Sequence, residues 1–209
     1  MTSSTQMTTK GIADRRSERG PGRDREAVGS KSLAKDQIKP GDGLGKYVLV
    51  ASIAGVIVLL DQWTKLWVDA DMRLYQSIPV IDGFFSLTYV RNKGAAFSMF
   101  ADFPDFFRKP FFMVVTVVAV VGIGWFVRST PREDKLSLIS LAFILGGALG
   151  NAIDRLAYGS VVDFLDVYVN DWHWPAFNVA DAFITTGVIL LLIAGFVGGG
   201  APQSEEVKT

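Results

Sequence analysis

Four apolar blocks of near membrane-spanning length constrain this chain more than any other feature of its sequence. They run from about Tyr47 to Leu66, Pro110 to Val127, Leu136 to Ile153 and Ala180 to Val197. Each approaches the roughly 20 residues a helix needs to cross a hydrocarbon core of about 30 Å. Buried helices of a soluble protein usually keep a polar stripe, and these blocks mostly lack one. The expected fold is therefore all-α transmembrane, a four-helix membrane bundle. Overall hydrophobic content is an ordinary 49% because charge crowds into the first 46 residues. That segment holds ten Lys and Arg against six acids, a net of +4, with few large apolar side chains. It cannot bury enough apolar surface to offset its ordering entropy, and it lacks the apolar run of a signal peptide. Residues 1–46 are read as a disordered basic tail, 47–198 as the membrane domain and 199–209 as a short C-terminal tail.

Basic residues set the expected orientation. The tail is basic, and the connection between the second and third blocks holds Arg128, Arg132 and Lys135. Both are expected in the cytoplasm, as are both termini. Trp63, Trp67, Trp172 and Trp174 then fall at the outer boundary and Trp125 at the inner one, the levels that interfacial tryptophans favour. In the first outer loop, Ser77 to Val90 carries short apolar runs around Asp82-Gly83, a dipeptide suited to a hairpin turn. The second outer segment, about Asp154 to Val179, has strand-like Val161-Val162 and Val167-Tyr168-Val169. These runs predict a small antiparallel sheet on the outer membrane surface.

Composition narrows the chemistry. There is no cysteine, which removes disulfides, thiolate metal sites and a cysteine nucleophile. One histidine, His173, is too few for a histidine-based metal centre, and no cofactor is expected. The polar residues inside or beside the spans are the candidates, because such residues are costly in lipid. Asp61 and Lys65 lie four apart and share a helix face. Gly146 and Gly150 have a small-xxx-small spacing that permits close helix contact. Asn151, Asp154 and Arg155 follow on one face. Asp163 lies in Val161-Val162-Asp163-Phe164. Asn178 and Asp181 have the spacing of a capping box at the start of the fourth helix. Two converging carboxylates can share one proton. The ionised one deprotonates water while the other protonates a carbonyl oxygen. A small transporter or channel, and a catalytically silent scaffold, are the alternatives that polar intramembrane residues also allow.

Five strings together resemble the lipoprotein signal peptidases, or signal peptidase II: Asp61-Gln62-Trp63-Thr64-Lys65, Asn92-Lys93-Gly94-Ala95-Ala96-Phe97, Gly150-Asn151-Ala152-Ile153-Asp154-Arg155, Gly159-Ser160-Val161-Val162-Asp163-Phe164 and Phe177-Asn178-Val179-Ala180-Asp181. They stand in family order over about Tyr47 to Val197. The resemblance implies an aspartic endopeptidase of the bacterial inner membrane. Such an enzyme cuts the signal peptide from prolipoproteins before a diacylglyceryl-modified cysteine. By motif position, Asp163 and Asp181 match the family's catalytic aspartates. Asp61, Lys65, Asn92, Asn151, Asp154, Arg155 and Asn178 match polar residues that line or support the site. The resemblance also implies a small extracytoplasmic β-cradle, membrane lipid contacts and sensitivity to the cyclic peptide globomycin; it implies no nucleic-acid partner. The basic tail is longer than the family's usual few residues. The phenylalanines Phe97, Phe100, Phe103, Phe106 and Phe107 suggest an apolar lid or an interfacial plane.

Overall fold

The computed structural model describes residues 44–94, 100 and 103–198. The expected basic tail up to residue 43, the C-terminal tail 199–209 and Phe97 lie outside the described residues. Four long helices carry the fold: α1 (Leu44–Asp71), α2 (Asp105–Ser129), α3 (Lys135–Tyr158) and α4 (Val179–Gly198). All four are long and apolar enough to cross a membrane.

Three helices overrun the bounds that hydropathy suggested. The 28 residues of α1 span about 42 Å at 1.5 Å per residue. That exceeds a core of about 30 Å, so its ends lie beyond the apolar layer. The second helix starts at Asp105, after Pro104. Pro110 therefore sits inside the helix rather than in its first turn. The third continues through Asp154 and Arg155 to Tyr158 instead of stopping near Ile153. It ends where Gly159 adopts φ 71°, the left-handed cap. At its start, the Asp134 side chain accepts from the Ser137 N–H (3.0 Å), an ordinary N-cap.

The sheet has four antiparallel strands in the order β1 (Ser77–Ile81), β2 (Phe85–Asn92), β3 (Val161–Val169) and β4 (Trp172–His173). The expected turn forms at Asp82-Gly83, with Gly83 at φ 76°, where a side chain would be strained. The two strand-like runs of the second segment form one continuous strand, β3. The β2–β3 register shifts between Leu87 and Val90, after which Val90 faces Asp163.

Two apolar clusters bracket the centre of the bundle. One joins Val50, Ile123, Val127, Leu138, Leu141 and Ala142. The other joins Val68, Met72, Tyr89, Val162 and Phe164 where sheet and helices meet. Along α1, the polar residues Asp61 and Lys65 fall between them. The third helix packs against the other three, and small residues let the backbones approach. A Cβ on Gly187 would lie 2.8 Å from the Ser140 carbonyl oxygen and 2.8 Å from Ile144 Cγ1. Overpacking of this kind costs about 1–3 kcal/mol. Gly187→Ala is therefore expected to lower the thermal midpoint in detergent. Gly122→Ala, where an added Cβ meets no described residue of another turn or element within 4 Å, is the control and should not lower it.

Candidate active site

The polar layer is assembled from all the elements that meet at the sheet-bearing end of the bundle. The last two turns of α3 supply Asn151, Asp154 and Arg155. The middle of α1 supplies Asp61, Gln62 and Lys65. The end of β2 supplies Asn92, β3 supplies Asp163, and the start of α4 supplies Asn178 and Asp181. Every site residue singled out in the sequence is present in this one cluster.

Lys65 is its buried cation. Its ammonium lies 2.8 Å from Asp61 Oδ2 and 3.2 Å from Asp154 Oδ2, with all three side chains nearly inaccessible. It also donates to Asn151 Oδ1 (2.8 Å). The remaining carboxylate oxygens are satisfied as a buried ion cluster requires. Asp61 Oδ1 accepts the Ala180 N–H at the start of α4 (2.9 Å). Asp154 Oδ2 accepts the Val162 N–H (3.1 Å). Gln62 Nε2 donates to Asp154 Oδ1 (2.9 Å) and shares its second N–H between Asp61 Oδ2 and the Gly150 carbonyl (both 3.2 Å). A Cβ on Gly150 would fall 2.5 Å from Asp61 Oδ2, so only glycine lets α3 approach α1 here.

Two asparagines carry this order to Asp163 and Asp181. Because Lys65 donates to its oxygen, Asn151 turns its Nδ2 toward Asp181 Oδ1 (2.8 Å). Asn178 Nδ2 donates both to Asp163 Oδ1 (2.7 Å) and to Asn151 Oδ1 (3.2 Å). The two acids are thus held at the ends of one asparagine bridge. Asn92 Nδ2 donates to Asp163 Oδ2 (3.0 Å), and its own oxygen accepts the Gly94 N–H (2.9 Å). The capping box at α4 is reciprocal. The Asp181 N–H donates to Asn178 Oδ1 (3.0 Å), and the Asn178 N–H donates to Asp181 Oδ2 (3.2 Å).

Asp163 is buried, at 3% exposure. Burial, followed by the negative charge of Asp181, pushes its carboxyl up to about 7, against the opposing hydrogen bonds of Asn92 and Asn178. Arg155 completes the layer. It donates to the Gly94 carbonyl (3.1 Å), lies over the Phe112 ring at 4.4 Å, and its charge is felt with those of Asp181, Asp163 and Asp154. Among the described residues no group of three or more His, Asp or Glu has metal-binding geometry.

Sequence reasoning misses four polar residues, Gln62 in the layer and Asp69, Tyr89 and Arg91 beside it. Gln62 lies inside a quoted string, yet its neighbours' charges hid its role as the donor that joins two acids. Asp69, Tyr89 and Arg91 form a second cluster beside the site: Tyr89 donates to Asp69 Oδ1, and Arg91 reaches both Asp69 (2.5 Å) and the Tyr89 hydroxyl (2.7 Å). Their separation in sequence gave no signal. His173 pairs with Asp166 (2.9 Å) and stacks on Tyr168, away from Asp163. Of the phenylalanine run, Phe100, Phe103 and Phe107 join Phe111 in one ring cluster, with centroids 5.2–5.9 Å apart, while Phe106 is exposed.

A family model described as Signal peptidase (SPase) II matches residues 53–197. The lipoprotein signal peptidase of Geobacter sulfurreducens is 54% identical over 143 residues, 68% of this chain and 88% of that protein. The lipoprotein signal peptidase of Syntrophus aciditrophicus is 47% identical over 146 residues, covering 70% and 91%. A bacterial membrane enzyme solved by the in meso method at 2.3 Å resolution superposes with a TM-score of 0.68 at 32% identity, covering 77% of this chain and 94% of that one. Four spans, a four-stranded sheet and these relatives agree on a multi-pass membrane protein. The chain belongs to the signal peptidase II family of aspartic-type peptidases.

Proposed function

We propose that this protein is a membrane aspartic endopeptidase that removes the signal peptide from prolipoproteins, cutting before a diacylglyceryl-modified cysteine, with Asp163 and Asp181 as the catalytic pair. Family membership supports the reaction class. The observation that carries the residue assignment is the asparagine bridge, which holds the two carboxyl groups within each other's field with Asp163 pushed up to about 7. Asp181 starts ionised, favoured by the first turn of α4, and Asp163 starts protonated.

Asp181 removes a proton from water as its oxygen attacks the scissile carbonyl. Asp163 gives its proton to the carbonyl oxygen, and a tetrahedral diol results. The roles then reverse. Asp163 takes back the hydroxyl proton, Asp181 protonates the leaving nitrogen, and the C–N bond breaks. The products are the signal peptide's carboxyl end and the lipoprotein's free amine, and the pair returns to its starting state. Asn151, Asn178 and Asn92 orient the acids, while Arg155 offsets the pair's negative charge. Asp61, Lys65 and Asp154 hold Asn151 from behind.

The basic connection Arg128, Arg132 and Lys135 supports cytoplasmic termini and a site at the outer face of the bacterial inner membrane. The Phe100–Phe111 ring cluster supports an apolar surface beside the site for the substrate's lipid. Globomycin should inhibit the enzyme as it does the family. The decisive experiment incubates purified protein with a diacylglyceryl-modified prolipoprotein and follows the released signal peptide. Intact substrate after prolonged incubation with folded enzyme would overturn the assignment.

The pH profile follows from the state of Asp163. Its carboxyl titrates higher in the folded chain than its ordinary 3.8, so the proton it donates is held below about 7. The kcat/KM is expected to fall as pH rises through about 7, and Asp163→Asn should not be able to reproduce that limb. The same shift lowers folding stability as pH rises across this window, because the folded chain binds the proton that the unfolded chain releases. A profile flat between pH 6 and pH 8, as about one unit either side of 7, would argue against the shared proton.

A further inference from the structure

A cavity of about 260 Å³ opens between the first half of α2 and the last turns of α3, lined by Lys109, Pro110, Phe112, Met113, Thr116, Ala152, Arg155 and Leu156. Its polarity is graded along the helix axes. At the sheet-bearing end stand the two cations, Lys109 from α2 and Arg155 from α3. One to two turns deeper, Phe112, Met113 and Thr116 face Ala152. The Thr116 hydroxyl is already spent on the Phe112 carbonyl (2.9 Å), so the deep end offers a ligand no evident polar partner.

The cationic end is built rather than incidental. A Cβ on Gly159 would lie 3.1 Å from Lys109 Cε, so the lysine stem crosses from α2 to the end of α3. Among the described residues Lys109 has a loose ion-pair partner, Asp105 Oδ2 at 3.8 Å, and Asp105 is also held by Arg108. Among the described residues the buried Arg155 Nε has no hydrogen-bond partner. The next turns of α2 are exposed at Val114, Val115, Val117 and Val118, the surface that meets lipid.

We infer that this cavity is a binding site for one anionic phospholipid, its phosphate between Lys109 and Arg155 and a length of one acyl chain between α2 and α3. The order of chemistry is that of an amphiphile: charge at the membrane-surface end and hydrocarbon below it. An apolar protein cavity of ~150 Å³ already accepts benzene, so this one holds several methylenes. Two cations select a lipid with net negative charge over a zwitterionic one, as basic pockets between spanning helices do. The bound lipid would tie α2, which packs mainly on α3, to the helix that carries Asn151, Asp154 and Arg155. The inference does not depend on the peptidase assignment.

The test uses the full chain in phosphatidylcholine vesicles with and without phosphatidylglycerol, and native mass spectrometry of the detergent-extracted protein. Phosphatidylglycerol should raise the thermal midpoint by a few degrees and leave one retained phospholipid per chain. Lys109→Gln should lower that retention several-fold. Ala152→Leu, which fills the cavity from α3, should abolish it. Both variants should keep the wild-type midpoint within a few degrees in phosphatidylcholine alone, which separates lost binding from lost folding. Equal retention of phosphatidylcholine and phosphatidylglycerol would overturn the inference. So would retention unchanged in both variants. If Ala152→Leu instead raises the KM for lipidated substrate while phosphatidylglycerol retention persists, the cavity serves the substrate's acyl chain and the inference fails.

Discussion

Asp163→Asn and Asp181→Asn are each expected to reduce turnover of a lipidated prolipoprotein by at least about 10³-fold, in line with the loss of one general acid–base partner of a pair. The folded protein should survive both changes. Asparagine keeps the shape of the side chain, and either substitution removes the repulsion between buried Asp163 and half-buried Asp181. The costs are local. At Asp163 both oxygens accept from asparagine amides, Asn178 at 2.7 Å and Asn92 at 3.0 Å. A carboxamide keeps one acceptor and turns an NH₂ toward the other donor, a loss of about 1–3 kcal/mol. At Asp181 one of two contacts must go, either the Asn151 amide or the Asn178 N–H of the capping box. Losing the cap costs about 1 kcal/mol. Rates on purified variants, read beside their thermal midpoints, separate chemistry from folding. Turnover near the wild-type rate by either variant removes that residue from the mechanism.

Why these residues were legible while their neighbours were not follows from how each signal arises. The four spans are visible because hydropathy is a property of consecutive residues. Their ends are not, because a charged residue that faces the protein interior does not end a helix. Asp154 and Arg155 point into the protein, so α3 continues past them until Gly159 turns left-handed. The hairpin at Asp82-Gly83 and the capping box at Asn178–Asp181 were readable because their chemistry lies within four residues. The pairing of Asn92 with Asp163, 71 residues apart, was not. It depends on the shifted β2–β3 register, which no local pattern encodes. The same holds for Gln62, whose partners lie 88 and 92 residues away. Family strings placed the polar residues in one list. Only the fold shows the order in which they are linked, from Lys65 through Asn151 and Asn178 to the two acids.

That order gives the second large expectation. Lys65→Met should destabilise the protein by about 3–5 kcal/mol, the cost of breaking a buried ion cluster by removing one partner. Methionine fills nearly the same space, so the loss is electrostatic rather than a cavity. Asp61 and Asp154 would be left facing each other with no cation between them, inside a layer that is 0–2% exposed. Activity should fall as well, because Asn151 loses the donor that fixes its amide and with it the contact to Asp181. Lys65→Arg is not a conservative alternative: a planar fork cannot replace a compact ammonium that reaches Asp61, Asp154 and Asn151 from one point. The triple change Lys65→Met, Asp61→Asn, Asp154→Asn removes the uncompensated charge and should recover much of the midpoint. It should not recover turnover, since Asn151 still lacks its donor. Thermal unfolding and turnover measured on the single and triple variants decide the matter. A Lys65→Met midpoint equal to wild type would show that the cation is not holding the site together.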